Sequence, residues 1–319
     1  GKYDVQIPAN PSLSFTLSSA ATTTRLKYAP GKGVIKVLLN GQETPTFIPK
    51  IQLFLERTRT LLPFTNQMDF EIHTSNSFPH SSGIASSASG MSALALCMMS
   101  IKKELGLDIE DFFREASIAA RLGSGSGSRS VYGPISAWGK HAEIEGSHDD
   151  FAVPFTDVSD VFKTFQDTIL LIDKGEKTVS SSLGHGLMKN HPYASTRFAQ
   201  AHENQSRLLT AMLDADLKSF GEVIESEALT LHAMMMTSMP YFILMKPNTL
   251  EVIHRIWSFR EATNHPIYFT LDAGANVHVL YPESHKELIM NFIDSELRTF
   301  CKDSCYLCDQ VGLGPTPLE

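Results

Sequence analysis

One stretch constrains the fold of this chain more than any other: residues 76–90, which read NSFPHSSGIASSASG. A segment of strand character, residues 69–78, leads into it, and the apolar residues that follow, up to Leu105, recur at helical spacing. A strand that turns through Gly and Ser into a helix is typical of a phosphate-binding loop, because the first N–H groups of a helix lack an intrahelical partner and attract anions. A serine-rich turn that only caps the helix is the structural alternative.

Several side chains of this stretch suit a phosphate group. The hydroxyls of Ser81, Ser82, Ser86 and Ser87 can bond phosphate oxygens, and Gly83 lets the backbone come close to a ligand. The stretch lacks the lysine of the GxxxxGK[ST] loop, and it is not a GxGxxG turn after a strand. It is therefore neither of the two commoner nucleotide-binding loops.

Length and composition limit the classes of protein. At 319 residues the chain can form two domains, and 42% hydrophobic with 19% charged residues is the balance of a globular protein. A net charge of −8 without a basic stripe argues against a nucleic-acid surface. No apolar run reaches the length of a membrane span, and the first residues do not resemble a signal peptide. We expect a cytoplasmic protein with small-molecule ligands and no membrane or nucleic-acid partner.

Three of the four cysteines cluster near the end of the chain. Cys301, Cys305 and Cys308 have the spacing C-x3-C-x2-C of an iron–sulfur motif. That motif normally lies early in a barrel, whereas here it leads into a predicted final strand, residues 304–311. Reduced, partly buried thiols in a cytoplasmic protein are the favoured interpretation.

The first 165 residues form a predicted N-terminal domain. Residues 13–20 and 22–29 alternate like strands, and an Asn40-Gly41 turn joins two further strands within residues 34–48. Residues 51–62 have helical spacing, as do residues 108–122, whose first turn is acidic.

A second Gly/Ser loop, residues 123–139, follows that helix and reads GSGSGSRSVYGPISAWG. Ser124, Gly125 and Ser126 can wrap an anion, and Arg129 offers a planar fork suited to carboxylate or phosphate. A flexible linker is the structural alternative, although regular apolar segments on both sides disfavour it. Residues 141–165 are acidic and are predicted to be a solvated edge and hinge without metal-ligand spacing.

Residues 166–319 form a predicted second domain. A strand at 168–173 is followed by helices at 214–236 and 250–263, a strand–turn–strand at 266–282, a helix at 284–300 and the final strand. This order predicts a ferredoxin-like α+β domain. Asp272 lies at the tip of the strand–turn–strand, where an Asx-type cap is the structural alternative to catalysis. His185 and His191 are six residues apart, which does not suit a zinc pair on one helix face.

The three polar segments together resemble a known family. Pro79, Gly83, Ile84, Ala85, Ser86, Ser87 and Ala88 match the second motif of the GHMP small-molecule kinases, and the whole chain resembles the diphosphomevalonate decarboxylase family of that superfamily. The residues shared with the family's motifs are Gly1, Lys2, Asn10, Ser12, Ser14, Pro79, Ser86, Ser87, Ser124, Ser126, Arg129, Ser130, His232, Asp272, Gly274 and Asn276.

This resemblance implies a two-domain GHMP kinase fold, with an N-terminal domain of left-handed βαβ type, which lacks a strand expected before Gly1, and a ferredoxin-like C-terminal domain. It implies ATP-dependent decarboxylation of diphosphomevalonate to isopentenyl diphosphate in the mevalonate pathway of isoprenoid biosynthesis, with Mg²⁺. Residues 81–83 and 85–88, that is Ser81, Ser82, Gly83, Ala85, Ser86, Ser87 and Ala88, would hold ATP phosphates, and Ser87 would help to place Mg²⁺. Asp272 would accept the proton of the substrate hydroxyl.

The resemblance also implies how the substrate is held. Arg129 would bind the departing carboxylate, while Lys2, Ser124, Gly125 and Ser126 would surround the substrate phosphate. The family pattern after Ser180 is altered to GHGLMKNHP, so that His185 or Lys189 would replace an arginine found in some members.

Three alternatives remain open at this point. The chain could be a kinase of the same fold, a decarboxylase acting on mevalonate or 5-phosphomevalonate, or a catalytically idle relative that binds isoprenoid phosphates. A homodimer is one assembly that the chain could form, and the sequence does not decide it.

Overall fold

The computed structural model describes residues 6–78, 86–173, 184 and 186–318. Within these residues the backbone divides into two units. Unit 1 contains residues 6–78, 86–155 and 312–318, and unit 2 contains residues 156–173, 184 and 186–311. Unit 1 is therefore assembled from segments at opposite ends of the sequence.

Unit 1 contains seven strands and three α-helices among the described residues. The strands are β1 (Ser12–Phe15), β2 (Thr22–Pro30), β3 (Ile35–Leu39), β4 (Gln42–Glu43), β5 (Met68–Asn76), β6 (Ile135–Trp138) and β7 (Ala152–Pro154). The helices are α1 (Ile48–Arg57), α2 (Ser86–Glu104) and α3 (Phe112–Gly123), with 3-10 segments at Pro45–Phe47, Pro63–Gln67 and Gly125–Val131.

The larger sheet of unit 1 has the strand order β2-β5-β3-β4. Its central strand β5 pairs with β2 in antiparallel and with β3 in parallel orientation. Asn40 and Gly41 join β3 to β4 with positive φ angles of 51° and 80°, as a type I′ turn requires, so the predicted hairpin is confirmed. Strand β5 ends at Asn76, ten residues before α2 begins at Ser86.

The core of unit 1 lies between this sheet and the helices. Ala95, Met98 and Met99 of α2 are fully buried, as are the alanines of α3, whose small side chains let the two helices approach closely. The predicted start of α3 at residue 108 was wrong. The helix begins at Phe112 because the Asp111 side chain accepts a hydrogen bond from the Arg114 N–H at 3.0 Å. The predicted helix 51–62 corresponds to α1, which begins three residues earlier and ends at Arg57.

A second sheet of unit 1 has the order β1-β6-β7. Its strands β6 and β7 lie in segments that the sequence analysis assigned to a loop and to a solvated edge, and both assignments were wrong at these residues. Strand β6 is buried along its whole length, and β7 pairs with it from Ser136↔Pro154 to Trp138↔Ala152. Polar and glycine-rich flanks concealed these short strands in the sequence.

Unit 2 has one four-stranded sheet with helices against it. The strands are β8 (Gln166–Leu170), β9 (Tyr268–Leu271), β10 (Val277–Tyr281) and β11 (Tyr306–Gln310). The α-helices are α4 (Ala194–Leu213), α5 (Leu217–Met236), α6 (Pro247–Thr263) and α7 (Lys286–Phe292). A π-helical turn at Ile293–Leu297 and 3-10 segments at Asp160–Thr164, Met188–Asn190, Glu283–His285, Arg298–Phe300 and Lys302–Ser304 complete the set.

The sheet order β11-β8-β10-β9, with every pair antiparallel, is the ferredoxin-like arrangement. One face carries the core, which includes Leu170, Phe269, Leu271, Val277 and Val279. Helix α4 was missed by the sequence analysis, because residues 194–213 carry polar side chains at several buried positions. The predicted helices at 214–236 and 250–263 correspond to α5 and α6.

The two-domain α+β fold predicted from the sequence is confirmed. The predicted boundary between residues 165 and 166 and the left-handedness of the N-terminal crossover stay predictions. Among the described residues, no helix is long and apolar enough to span a membrane.

The four cysteines are all free thiols. Cys301 is buried, which raises its pKa to about 11, and Cys308 is exposed on β11. Over the described parts of the chain no three or more His, Cys, Asp or Glu side chains form a group that could hold a metal ion.

Candidate active site

The start of α2 presents three of the residues predicted to bind phosphate. Ser86 is half-buried, Ser87 is exposed and Ala88 is buried. The first N–H groups of this 19-residue helix lie at its positive end, next to the Ser87 hydroxyl. The arrangement offers donors to an anion without requiring a large basic surface.

The second Gly/Ser loop packs directly against this helix start. The Ser87 hydroxyl donates to the Ser124 hydroxyl at 3.2 Å. Gly127 lies so close that an added Cβ would meet the carbonyl oxygens of Ala88 at 3.1 Å and Ala120 at 3.2 Å. Only a residue without a side chain fits this approach comfortably, so the loop is a packed element and not a flexible linker.

Further hydrogen bonds fix the shape of the loop. Ser117 of α3 donates to the Ser128 carbonyl at 2.9 Å, and Ser128 donates to the Gly125 carbonyl at 3.0 Å. Residues Gly125–Val131 form a 3-10 segment as a result. Ser124, Gly125 and Ser126 remain half-buried along it, which leaves part of each residue accessible to a ligand.

Lys50, near the start of α1, contacts Ser87, and the sequence analysis did not propose it as a site residue. Its ammonium donates to the Ser87 hydroxyl. Lys50 is exposed to solvent, yet partial desolvation by the surrounding protein lowers the pKa of its ammonium. The Lys50 ammonium thus lies beside the hydrogen-bonded hydroxyls of Ser87 and Ser124 at the helix start. A single lysine in a helix otherwise interpreted as scaffold gives no sequence signal for this role.

The sheet holds the first turn of α2 from the other side. Thr22, at the start of β2, hydrogen-bonds to the Asn76 side chain and to the Ser89 hydroxyl, both at 2.7 Å. Ser89 in turn donates to the Ser86 carbonyl at 3.3 Å. The helix start is therefore anchored through Thr22 to Asn76, the last residue of β5.

Arg129 lies half-buried at the end of the 3-10 segment. Its carbonyl accepts hydrogen bonds from the Ser136 hydroxyl at 3.1 Å and from the Tyr132 N–H at 3.2 Å. The backbone of Arg129 is thereby held by the buried strand β6. The point from which the Arg129 side chain extends is therefore fixed, and its planar guanidinium is suited to bind a carboxylate through two N–H groups.

In unit 2, Asp272 directly follows β9 in the tight turn before β10. The residue is half-buried, and its carbonyl accepts from the Gly274 N–H at 2.7 Å. Among the described residues, no backbone N–H donates an Asx-type hydrogen bond to the Asp272 carboxylate. The carboxylate is therefore not committed to a capping contact there.

Two side chains from other elements and one side chain of the turn itself hold this turn in place. His232 of α5 bonds through Nε2 to the Asp272 carbonyl at 3.1 Å. Thr249 of α6 donates to the Ala275 carbonyl at 2.7 Å, and the Asn276 side chain accepts from the Asp173 N–H at 2.9 Å. The turn is thus tied to α5, to α6 and to the segment that follows β8, which sets the position from which the Asp272 carboxylate projects.

His232 acts here as a neutral donor. It is 1% exposed, and burial lowers the pKa of its imidazole, while its contact with Asp272 works in the opposite direction. Since the carbonyl of Asp272 can only accept, the neutral ring carries its proton on Nε2.

Six predicted site residues lie outside the described residues: Lys2, Ser81, Ser82, Gly83, Ala85 and His185. Lys189 is exposed on the turn Met188–Asn190 of unit 2, and within the described chain it makes no hydrogen bond or ion pair with another predicted site residue. In unit 1 the structure brings together Ser87, Ala88 and residues 124–128 of the second Gly/Ser loop. It places Asp272 in unit 2.

Two family models match the chain. The model described as "Diphosphomevalonate decarboxylase-like N-terminal domain" matches residues 1–152, and the one described as "Mevalonate 5-diphosphate decarboxylase C-terminal domain" matches residues 168–310. Together they account for nearly the whole length.

Individual relatives point the same way. The diphosphomevalonate decarboxylase of Eremothecium gossypii is 27% identical, over 92% of this chain and 77% of the relative. The phosphomevalonate decarboxylase of Haloferax volcanii is 25% identical, over 89% and 83% of the two chains.

Solved structures are similar over almost the entire chain. The crystal structure of mevalonate diphosphate decarboxylase from Staphylococcus aureus has a TM-score of 0.84 and 28% identity, over 98% of this chain and 91% of that one. A structure described as MDDEF in complex with MVAPP, AMPPCP and magnesium also has a TM-score of 0.84, with 26% identity over 98% and 92% of the chains.

Proposed function

Because the chain belongs to the diphosphomevalonate decarboxylase family, we propose that it catalyses the ATP-dependent decarboxylation of (R)-5-diphosphomevalonate. The products are isopentenyl diphosphate, ADP, phosphate and CO2. The observation that carries the proposal is the contact between the start of α2 and the second Gly/Ser loop. There the Ser87 hydroxyl donates to the Ser124 hydroxyl, and Gly127 lies against Ala88. This contact joins the segment suited to nucleotide phosphates to the segment suited to an anionic substrate.

The residues at the start of α2 fit the phosphates of ATP. Ser87 offers an exposed hydroxyl, Lys50 offers an ammonium, and the first turn of the helix offers N–H groups that have no intrahelical partner. Ser87 would also help to hold Mg²⁺, which is usually bound by few protein groups and by the phosphates of the nucleotide. When bound, Mg²⁺ neutralises negative charge on the phosphates during phosphoryl transfer.

Asp272 serves as the base in this proposal. As the 3-hydroxyl oxygen of the substrate takes the γ-phosphoryl group, the carboxylate of Asp272 orients the hydroxyl and accepts its proton. Its turn is fixed by His232, Thr249 and Asn276, so the carboxylate needs little reorganisation when the reaction takes place. The same negative charge then stabilises positive charge that develops on the substrate carbon.

Arg129 holds the carboxylate that departs as CO2. When the C–O bond to the phosphorylated oxygen breaks, the electron pair of the bond to the carboxylate carbon becomes the new C=C bond. Phosphate leaves with the electrons of the C–O bond, and CO2 leaves without a proton change. A guanidinium that pins the carboxylate keeps the breaking bond aligned, which is a positioning effect.

A second candidate substrate is 5-phosphomevalonate. Its support is the similarity to the phosphomevalonate decarboxylase of Haloferax volcanii, together with the altered sequence at residues 183–193. Lys189 is exposed there, and we propose that it or His185 contacts the terminal phosphate of the substrate. We also propose a cytoplasmic location, because all four thiols are free.

The test uses the full chain with Mg-ATP and, in turn, mevalonate, 5-phosphomevalonate and 5-diphosphomevalonate. We expect CO2 and isopentenyl diphosphate from the diphosphate, with one ADP for each CO2. Release of ADP without CO2 would identify a kinase instead. A higher kcat/KM with 5-phosphomevalonate would assign the second candidate substrate.

A further inference from the structure

His191 of unit 2 lies at a break in the chain that Pro192 enforces. A residue that precedes proline is disfavoured in the helical conformation, and His191 is extended, with φ −71° and ψ 130°. The break separates the turn Met188–Asn190 from helix α4, which begins at Ala194. The side chain of His191 is buried, at 7% exposure, although Pro192 and Tyr193 are exposed. A buried ring beside an exposed turn needs polar partners for its nitrogens.

Both ring nitrogens of His191 have such partners. Nδ1 accepts from the Tyr193 N–H at 3.2 Å, so the hydrogen of the ring is on Nε2. Nε2 lies 3.1 Å from the Met234 carbonyl oxygen and 3.1 Å from the Thr237 hydroxyl oxygen. The Thr237 hydroxyl donates its own hydrogen to the Ala233 carbonyl at 2.7 Å, so its oxygen accepts from the ring. His191 therefore donates to both groups.

These two partners lie at the C-terminal end of α5. Met234 is the third residue from that end, where helix carbonyls have no intrahelical N–H partner, and His191 supplies the missing donor. Gly184 lies beside the same helix end, since an added Cβ would be 3.7 Å from the sulfur of the buried Met235. The segment that contains Gly184 and residues 186–191 therefore meets α5 at its first and at its last residue.

The same end of α5 supports the Asp272 turn. His232, two residues before Met234, donates through Nε2 to the Asp272 carbonyl at 3.1 Å. At about 1.5 Å of rise per residue, the contacts made at His232, Met234 and Thr237 lie within about 8 Å along the helix axis. One short stretch of α5 thus joins the turn that carries Asp272 to the segment that carries Lys189.

We infer that His191 is a positioning residue for the phosphate end of the substrate. The inference rests on the proposed function, in which Asp272 contacts the reacting hydroxyl and Lys189 contacts the terminal phosphate. By holding its segment against α5, His191 fixes the backbone of Lys189 relative to the Asp272 turn. It thereby sets the span between the two groups that the substrate has to bridge, and the buried ring itself need not touch the substrate.

The competing explanation is a contact that only stabilises the fold, in which His191 merely satisfies the end of α5. The two explanations differ in what the loss of Lys189 does afterwards. If His191 positions Lys189, removing the lysine costs little further binding once the ring no longer holds the segment. If His191 only stabilises the fold, the two losses are independent and their effects on KM multiply.

The experiment is a double-mutant cycle of His191→Phe, Lys189→Met and the two substitutions together. Phenylalanine keeps a ring of similar size without its hydrogen bonds, whereas His191→Gln keeps an N–H donor and is the conservative rescue. His254→Phe and Lys218→Met are the matched controls, because both residues are exposed on helices of unit 2. We measure kcat and KM for the phosphorylated mevalonate that the wild-type chain uses best. Thermal melts establish that each variant is folded.

We expect KM to rise about tenfold in His191→Phe and in Lys189→Met, with kcat within about threefold of wild type, because a hydrogen bond to a charged group is worth that order. Lys189→Met adds less than about twofold when His191→Phe is already present. His191→Gln and both controls keep KM close to the wild-type value. An unchanged KM in either single variant overturns the inference, as does a full tenfold further rise in the double variant.

Should His191→Phe fail to fold, Thr237→Val decides, since it removes one of the two acceptors of the ring. KM is expected to rise about threefold in Thr237→Val, and this rise disappears when Lys189→Met is also present. No rise, or a rise that persists beside Lys189→Met, contradicts the inference. Failure of the proposed function is recognised separately, because the wild-type chain then releases no CO2 from any of the three mevalonates.

Discussion

The helix start in unit 1 and the Asp272 turn in unit 2 provide polar groups in opposite ways. At the helix start, the donors are backbone N–H groups, hydroxyls and the Lys50 ammonium, and a glycine lets the loop pack closely. At the turn, a single carboxylate is positioned by hydrogen bonds that join the turn to residues 26 to 103 positions away in the sequence.

This difference shows how each region tolerates change. In the proposed function, the helix start binds the nucleotide through several weak donors, so the loss of any one of them is partly covered by the others. The turn depends on one acidic group whose chemistry no neighbour can replace. We therefore expect substitutions at the turn to lower turnover and substitutions at the helix start to lower affinity for the nucleotide.

The largest effect is expected from Asp272→Asn. The amide is similar in size but cannot accept the proton, so kcat should fall about 10³-fold to 10⁴-fold. Affinity for ATP, measured by calorimetry, should stay within about twofold, because the nucleotide donors lie elsewhere. Near-normal turnover would remove Asp272 from the mechanism and end the contrast between the two regions.

Arg129→Gln should have the next largest effect. Loss of the guanidinium removes a charged hydrogen-bonding partner of the substrate carboxylate, and kcat/KM should fall about a hundredfold. Arg59→Gln, at an exposed position of the same unit, is the matched control. If both variants behave alike in the CO2 assay, Arg129 has no special role in the reaction.

The buried ion pair between His278 of β10 and Asp167 of β8 predicts a pH dependence of stability. The pKa of His278 is about 9 in the folded chain, above its ordinary value of 6.5. The contribution of the pair to the free energy of unfolding is therefore fully present below about pH 6.5 and is lost as the pH rises through 9. The loss is at most about 3 kcal/mol. Melting temperatures of wild type and His278→Gln should converge between pH 6.5 and 9.5. A constant difference across that range would show that the ring is already neutral.

The smallest effect is expected from Lys50→Met. Loss of the ammonium beside Ser87 should raise KM for ATP about tenfold and leave kcat nearly unchanged, since hydroxyl and backbone donors remain. Because desolvation lowers the pKa of Lys50, the wild-type KM for ATP should begin to rise at a lower pH than an ordinary lysine would give. Lys36→Met, at an exposed position of β3, is the control. An equal change in both variants would assign no nucleotide contact to Lys50.

The sequence predicted those parts of the fold that have a local signal. The Asn40-Gly41 hairpin, the strand that ends at Asn76 and the long helix α2 each follow from residues that are neighbours in the chain. Helix α4 was missed because it carries polar side chains at buried positions, and strands β6 and β7 were missed because they are short and are stabilised by pairing with other strands. Short buried strands between Gly/Ser stretches carry too little periodicity to be recognised.

The same distinction applies to the candidate site. Ser87, Ser124 and Asp272 belong to compact motifs, so they were proposed from the sequence, and their catalytic and binding roles stay proposals. Lys50 and His278 were not proposed, since each acquires its charged or hydroxyl partner only through tertiary packing. A lone lysine or histidine has many environments open to it, and the sequence does not choose among them.

One feature of the backbone affects how the chain reaches this structure. The Gly312 N–H bonds the Thr16 carbonyl at 2.7 Å, and Gly314 lies against Gly133, so residues 312–318 complete unit 1. During synthesis these residues leave the ribosome after all of unit 2. The amino-terminal unit therefore acquires these contacts only after the whole of unit 2 has been synthesised, and a chain stopped at residue 311 would lack them.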